Sequence, residues 1–247
     1  MTPPLFLVAE LGDDVVAGAE LALTGAEAHH AARVKRLAVG ELALLSDGRG
    51  GLAQARVASV SVDRVLFTVL SLTRRREPEP RLVVVQAVPK GERADLAVEA
   101  LTELGADMIV PWAASRSVSV WRGDKAGRGV AKWRRTAAEA SKQSRRSRVP
   151  VVAELASTAA VADRIRAAAG CVVLHESAGE PLASIAPPAA GELVVVVGPE
   201  GGVSEDELRS FVEAGARPVR LGPEVLRTAT AGAAALAVLS VSTGRWR

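Results

Sequence analysis

The 247 residues contain only one cysteine and three histidines. The lone Cys171 excludes an internal disulfide framework and a cysteine-built zinc site, and so few imidazoles predict no metal centre. A reducing cytoplasm is the simplest compartment for such a chain. Long apolar runs are also missing. No stretch reaches the roughly 18 residues of a membrane span, and the alanine-rich end TATAGAAALAVLSVSTGRWR is broken by threonine, serine and glycine. The start, MTPPLFLVAELGDD, lacks the basic opening and apolar run of a secretory signal.

What is present argues for a folded chain. Hydrophobic residues make up 49% of it, too many for global disorder, and the length suits one large domain or two modest ones. The net charge of +3 is uneven, because Arg116 to Arg148 holds eleven Lys or Arg against Asp124 and Glu139. Such a segment is either a polyanion-binding surface or a solvated face.

Two textures divide the chain. Residues 1–72 alternate in short segments, with Gly48, Gly50 and Gly51 marking a hairpin, and read as a small β-rich domain. The charged stretch TRRREPEP, 73–80, reads as a linker. From 81 to 247 buried strands alternate with helices. ERADLAVEALTELG predicts a helix with Leu96, Ala100, Leu101 and Leu104 inward and a stop at Gly105, and a second helix is expected around Gly129 to Arg146. CVVLHE, ELVVVVG and ARPVRLG are continuous apolar strands of the parallel kind. Together they predict an α/β sheet of five or six strands.

The stretch VVVVGPEGGVSEDE carries the first chemical signal. A strand runs into a glycine turn, and Ser204 with Glu207 forms a capping-box pattern for the next helix. The turn lacks the lysine of a Walker loop, and Gly198, Gly201 and Gly202 do not have dinucleotide-fingerprint spacing, which also disfavours a nicotinamide oxidoreductase. Glu200 would repel a phosphate, so a ligand with hydroxyls, an amine or a positive centre fits better. A plain strand-to-helix turn competes with that reading. A second loop, LGPEVLRTATAGAAAL, repeats Gly-Pro-Glu and places Arg227 before two threonines, Thr228 and Thr230, either able to cap the last helix. Two such loops beyond neighbouring strands would face one cleft, with the end of CVVLHES as a third wall. The small residues of the last helix suit packing on the sheet or on another copy.

GPEGG with LGPEVLRTATA, preceded by TELGADMIVPWAASRS and EASKQSRRSRVP, resembles the 16S ribosomal RNA uridine-N3 methyltransferases of the SPOUT class, and HHAARVKRLAVGE resembles their PUA-like barrel. The resemblance spans nearly the whole chain and implies an α/β fold with a deep trefoil knot at its C-terminal end, against the general rarity of knots. It implies S-adenosyl-L-methionine as cofactor, the small ribosomal subunit or its 16S RNA as partner, and a homodimer. By the same resemblance the cofactor is held by Leu174, His175 and Glu176, by Gly198, Glu200 and Gly201, and by Leu221, Gly222, Leu226, Arg227 and Thr228. One departure stands out. Where the family often has an acid between the two threonines, this chain has Ala229, which keeps a noncatalytic RNA-binding or ribosome-assembly factor with a vestigial cleft as the alternative.

The implied chemistry is an in-line methyl displacement in which N3 of uracil must lose a proton. Arg227 is the candidate to stabilise charge on the uracil oxygens, or else a structural tie to a carboxylate. Glu200 either holds ribose hydroxyls or takes the proton. Lys132, Arg135, Lys142, Arg145 and Arg146 on one helix side, with Arg116 and with Arg33 and Arg36 of the barrel, are candidate RNA contacts. Trp112, Trp121 and Trp133 are either base-stacking platforms or core.

Overall fold

The computed structural model describes every residue except Met1, Asp13 and Arg247, so the outermost residues of both expected domains lie outside it. The chain forms two compact units, Met1–Glu77 with Ser141–Val149, and Pro78–Ala140 with Pro150–Arg247.

The first unit holds β1 (Leu5–Leu7), β2 (Glu20–Thr24), β3 (Leu42–Ser46), β4 (Gly51–Val60) and β5 (Arg64–Arg74) in the order β1-β3-β4-β5-β2. Only β1 and β3 pair in parallel. Alternate residues of β4 and β5 point inward, and register shifts at Gln54/Ala55 and Val57/Ser59 bend this long hairpin. Phe6, Leu45 and Phe67 are fully buried in its core. HHAARV forms neither strand nor loop. It folds as α1 (Gly25–His29) followed by a π-helical turn, His30–Val34. Segment 141–149 joins this unit because the backbone N–H groups of Gly50 and Val149 donate to Ser147 and Gly48, at 2.8 and 2.9 Å. Gly50 sits at φ +113°, and a Cβ there would lie 2.6 Å from the Arg75 carbonyl, so only glycine fits the turn.

The second unit is built from β6 (Arg81–Ala87), α2 (Arg93–Glu103), β7 (Met108–Trp112), α3 (Asp124–Gln143), β8 (Val151–Val152), α4 (Thr158–Ala167), β9 (Gly170–Leu174), β10 (Glu192–Val197), α5 (Glu205–Glu213), β11 (Arg217–Val219) and α6 (Thr228–Ser242). The last turn of α3 is counted with the first unit. The sheet has six strands in the order β11-β9-β10-β6-β7-β8, every pair parallel. Its central strands are apolar on both faces because helices cover both. Val83, Val85, Val194 and Val196 face a core that includes Ile165 of α4 and Phe211 of α5. The alternate residues face α2 and α6. On that side a Cβ on Gly232 would lie 2.9 Å from Leu101, so this glycine lets α6 close onto α2. Beyond α6, Arg245 donates to Asp107 Oδ2 at 2.5 Å and to the carbonyls of Pro80 and Gly105, tying this residue to the start of the sheet.

Several local expectations change. The buried side of α2 is Ala97, Val98, Leu101 and Thr102, while Leu96 is 50% exposed, because the apolar stripe is turned towards α6. Helix α3 begins at Asp124 rather than Gly129 and ends at Gln143, since Arg145 adopts φ 56°. Neither threonine caps α6. Its N-cap is Arg227, with no side-chain cap. Ser204 does cap α5, in a complete capping box with Glu207. Cys171 is buried, and burial pushes its thiol up to about 12, so it is an inert core residue.

Candidate functional site

Beyond the carboxyl ends of β9, β10 and β11 the second unit opens into a cavity of about 340 Å³, within the size range of small-ligand sites. The strands that bear the two Gly-Pro-Glu loops are not neighbours, as the sequence reading assumed. β9 lies between them, so Leu174, His175 and Glu176 form the middle of the site rather than a side wall. Ten of the eleven residues expected around a cofactor line this one cavity: those three, Gly198, Glu200, Leu221, Gly222, Leu226, Arg227 and Thr228.

The eleventh does not. Gly201 turns away, and a Cβ on it would lie 3.0 Å from both Cβ and the carbonyl oxygen of Arg116. Its glycine serves a close approach to the loop after β7, while Gly202 takes the lining place. Arg93, in the first turn of α2, also lines the cavity and was not anticipated. It stands more than a hundred residues before the loops, in a turn with no motif.

The lining mixes apolar walls (Leu174, Val197 and Leu221) with backbone of the glycine loops and a few charged groups. Glu200 is exposed and lines the cavity, and its Oε1 accepts the backbone N–H of Lys90 at 3.1 Å, which orients the carboxylate and leaves Oε2 without a partner among the described residues. The Nδ1 of His175 pairs with Ser177 Oγ at 2.9 Å. The Arg227 side chain is exposed and bonds no other described residue, so it is not a structural tie to a carboxylate. Ala229 is buried, with 4% exposure. A carboxylate, free guanidinium groups and tight backbone around apolar walls suit a nucleoside that carries a cation and an amino-acid tail. Among the described residues no cluster could hold a metal ion.

The candidate RNA contacts separate. Arg33, Arg36, Arg116, Arg135 and Arg145 are exposed, and Arg146 is half-buried. Lys132 is exposed and paired with Asp95 at 2.6 Å. Lys142 is a correction. It is 8% exposed and donates to Glu27 Oε1 at 2.8 Å, so it is part of the first unit's interior. The expected stripe along one helix fails for two reasons, that inward lysine and the helix end before Arg145. Lys142→Ala should leave Glu27 without its ion-pair partner, with only the Leu7 N–H on Oε2 at 3.4 Å, and destabilise the first unit by on the order of 2–3 kcal/mol, below the full cost of a buried unpaired charge because Glu27 stays partly hydrated. Urea unfolding checks this. Trp112 and Trp133 are 0% and 1% exposed and cannot stack on bases, while Trp121 lies edge-on to Trp133 at 5.3 Å.

Known proteins resemble the chain over nearly its whole length. Residues 76–240 match the RNA methyltransferase domain family, and residues 23–70 match the RNA methyltransferase PUA domain. The chain is 43% identical to the ribosomal RNA small subunit methyltransferase E of Mycobacterium bovis, over 100% of this chain and 94% of the relative. It is 33% identical to the protein of the same name from Bacillus subtilis, over 90% of each. The crystal structure of the Neisseria gonorrhoeae ribosomal RNA small subunit methyltransferase E bound to S-adenosyl methionine matches it with a TM-score of 0.84 at 25% identity, over 97% of this chain and 98% of that one. Since the methyltransferase match spans most of its length and these relatives align nearly end to end, the chain belongs to the ribosomal RNA small subunit methyltransferase E family of RNA methyltransferases.

Proposed function

We propose that the protein transfers the methyl group of S-adenosyl-L-methionine to N3 of one uridine in the 16S RNA of the small ribosomal subunit. The observation that carries this reading is the single cavity that gathers both Gly-Pro-Glu loops and the end of β9, in a chain whose relatives are named for methyl transfer on small-subunit RNA. The cofactor supplies an electrophilic methyl on a sulfonium.

The protein's residues supply position, charge and exclusion of water. Leu174, Val197 and Leu221 give the nucleoside an apolar seat. The open Oε2 of Glu200 binds ribose hydroxyls or receives the N3 proton. Arg227, with its charge uncommitted, stabilises the anion that develops on the uracil oxygens. With Ala229 in place of an acid, no base acts from that position. Arg33, Arg36, Arg116, Arg135 and Arg145 bind RNA phosphates. The reading includes a barrel domain over residues 1–72, a linker over 73–80, a knotted domain over 81–247 that pairs with a second copy, with 141–149 of that range belonging to the first unit, and action in the cytoplasm. No described helix is long and apolar enough to cross a membrane.

Ala229 is the one observation that favours a noncatalytic assembly factor, and two measurements separate the readings. Calorimetry should show S-adenosyl-L-methionine binding at micromolar to low millimolar concentration, and absence of binding at millimolar cofactor overturns the enzyme reading. Mass spectrometry of 16S RNA from a deletion strain should show one uridine that has lost a methyl group, restored by the intact gene. An unchanged methylation map overturns the assigned substrate.

A further inference from the structure

Glu207 is 5% exposed, and the capping of α5 accounts for only half of what its carboxylate binds. Oε2 serves the cap, accepting the backbone N–H of Ser204 at 3.0 Å and the Ser204 hydroxyl at 2.9 Å. Oε1 faces the other way. It accepts the backbone N–H of Ser115 at 2.7 Å and the Thr158 hydroxyl at 3.3 Å, and Thr158 in turn accepts the indole N–H of Trp112 at 3.2 Å. Burial pushes the carboxyl towards protonation, but the bonds from Ser115 and Ser204 outweigh it and hold the group below the ordinary glutamate range. It is therefore a carboxylate at neutral pH, with all its accepting capacity used.

Ser115 belongs to the turn that carries Arg116, closed by the Ser117 N–H on the Ala114 carbonyl at 3.1 Å. A second contact holds this turn. Gly201 lies directly against the Arg116 backbone, and the Arg116 guanidinium points at the Gly201 carbonyl at 3.5 Å. Arg116 is exposed and pairs with no carboxylate among the described residues, so its charge is available to a phosphate. On its other side the same 198–203 loop lines the cofactor cavity. One rigid carboxylate thus joins a free cation's turn to the wall of that cavity.

We propose that Glu207 is a positioning residue that locks the Arg116 turn to the 198–203 loop, so that RNA held by Arg116 and cofactor held by the loop tighten each other's binding. The proposal rests on the methyltransferase reading above. Ordering the loop around a nucleoside fixes Ser204 and the α5 terminus, and through Glu207 it fixes Ser115. By linkage, RNA on Arg116 must raise cofactor affinity by the same factor.

Ser115→Pro isolates this bond. Ser115 is the second residue of its turn and Arg116 does not have positive φ, a geometry in which proline is favoured. The substitution removes the N–H and the hydroxyl through which Ser115 reaches Glu207, and the α5 capping box stays intact. The measurement is equilibrium dialysis of labelled S-adenosylhomocysteine against the full-length protein, with and without saturating small subunits from a deletion strain. In the native protein the subunits should tighten binding by about fivefold or more, the lower end of measured site-to-site coupling. In Ser115→Pro the affinity without subunits should stay within about twofold of native, and the tightening should fall to near one. Glu207→Gln, which has a single acceptor oxygen for two loops, should lose most of it and serves if the proline variant does not fold. Full tightening in either folded variant, or none in the native protein, overturns the proposal. Failure of the native protein to bind S-adenosylhomocysteine at all is a different result, and overturns the methyltransferase reading with it.

Discussion

Arg227→Ala should lower kcat for methyl transfer by about 10²–10³-fold, the usual loss when one preorganised donor is removed from a developing anion. Cofactor affinity should change by less than about tenfold, since the walls and loops of the cavity stay in place. Arg227 can fill that role because its charge is uncommitted. Arg227 is the N-cap of α6 and exposed, its guanidinium bonds no other described residue, and it opens onto the same cavity as Glu200. A buried or paired arginine would have its charge already committed. Single-turnover assays with saturating small subunits separate kcat from KM. Loss confined to KM would reassign Arg227 to RNA or cofactor binding, and unchanged kinetics would remove it from the site. Arg227→Lys should recover only part of the rate, because an ammonium has no planar fork.

Trp112→Ala should destabilise the protein by about 3–5 kcal/mol, the cost of emptying a large buried aromatic site. Trp112 is fully buried, meets Phe211 edge-on at 5.2 Å, and donates its indole N–H to Thr158. Urea unfolding measures the loss through the midpoint at unchanged slope. The same variant discriminates between packing and base stacking. A stacking tryptophan would leave stability nearly intact and weaken RNA binding, the reverse of the expected result. Trp112 also supports the hydroxyl of Thr158, which contacts Glu207, so the mutation should loosen the Arg116 turn as well.

Much of the second unit was legible because its signals are local. The valine runs of β6 and β10, the Ser204–Glu207 box and the stop at Gly105 each depend on residues within a few positions of one another. The expected lining of the cavity came from the family resemblance, carried by motifs in short loops, and ten of its eleven residues meet there. What misled was the three-dimensional neighbourhood. Lys142 and Arg145 look alike in a basic run, yet one is ion-paired inside the first unit and the other lies exposed beyond the helix end. Trp112, Trp121 and Trp133 are the same residue type, and only packing distinguishes two core members from the half-buried third.

The sequence by itself determined the parallel α/β character of the larger unit, the small β-rich unit before it, and the two loops that surround the candidate cofactor. Apolar runs, turn glycines and capping residues act through backbone geometry and need no distant partner. Tertiary structure alone decided strand order, which puts β9 between the two loop-bearing strands. It returned segment 141–149 to the first unit, brought Arg93 to the cavity, and turned Gly201 from a wall residue into the seat for Arg116. Each of these is a contact between residues far apart in the chain. Its energy comes from burying surface and satisfying backbone groups across that distance, and no local pattern encodes it.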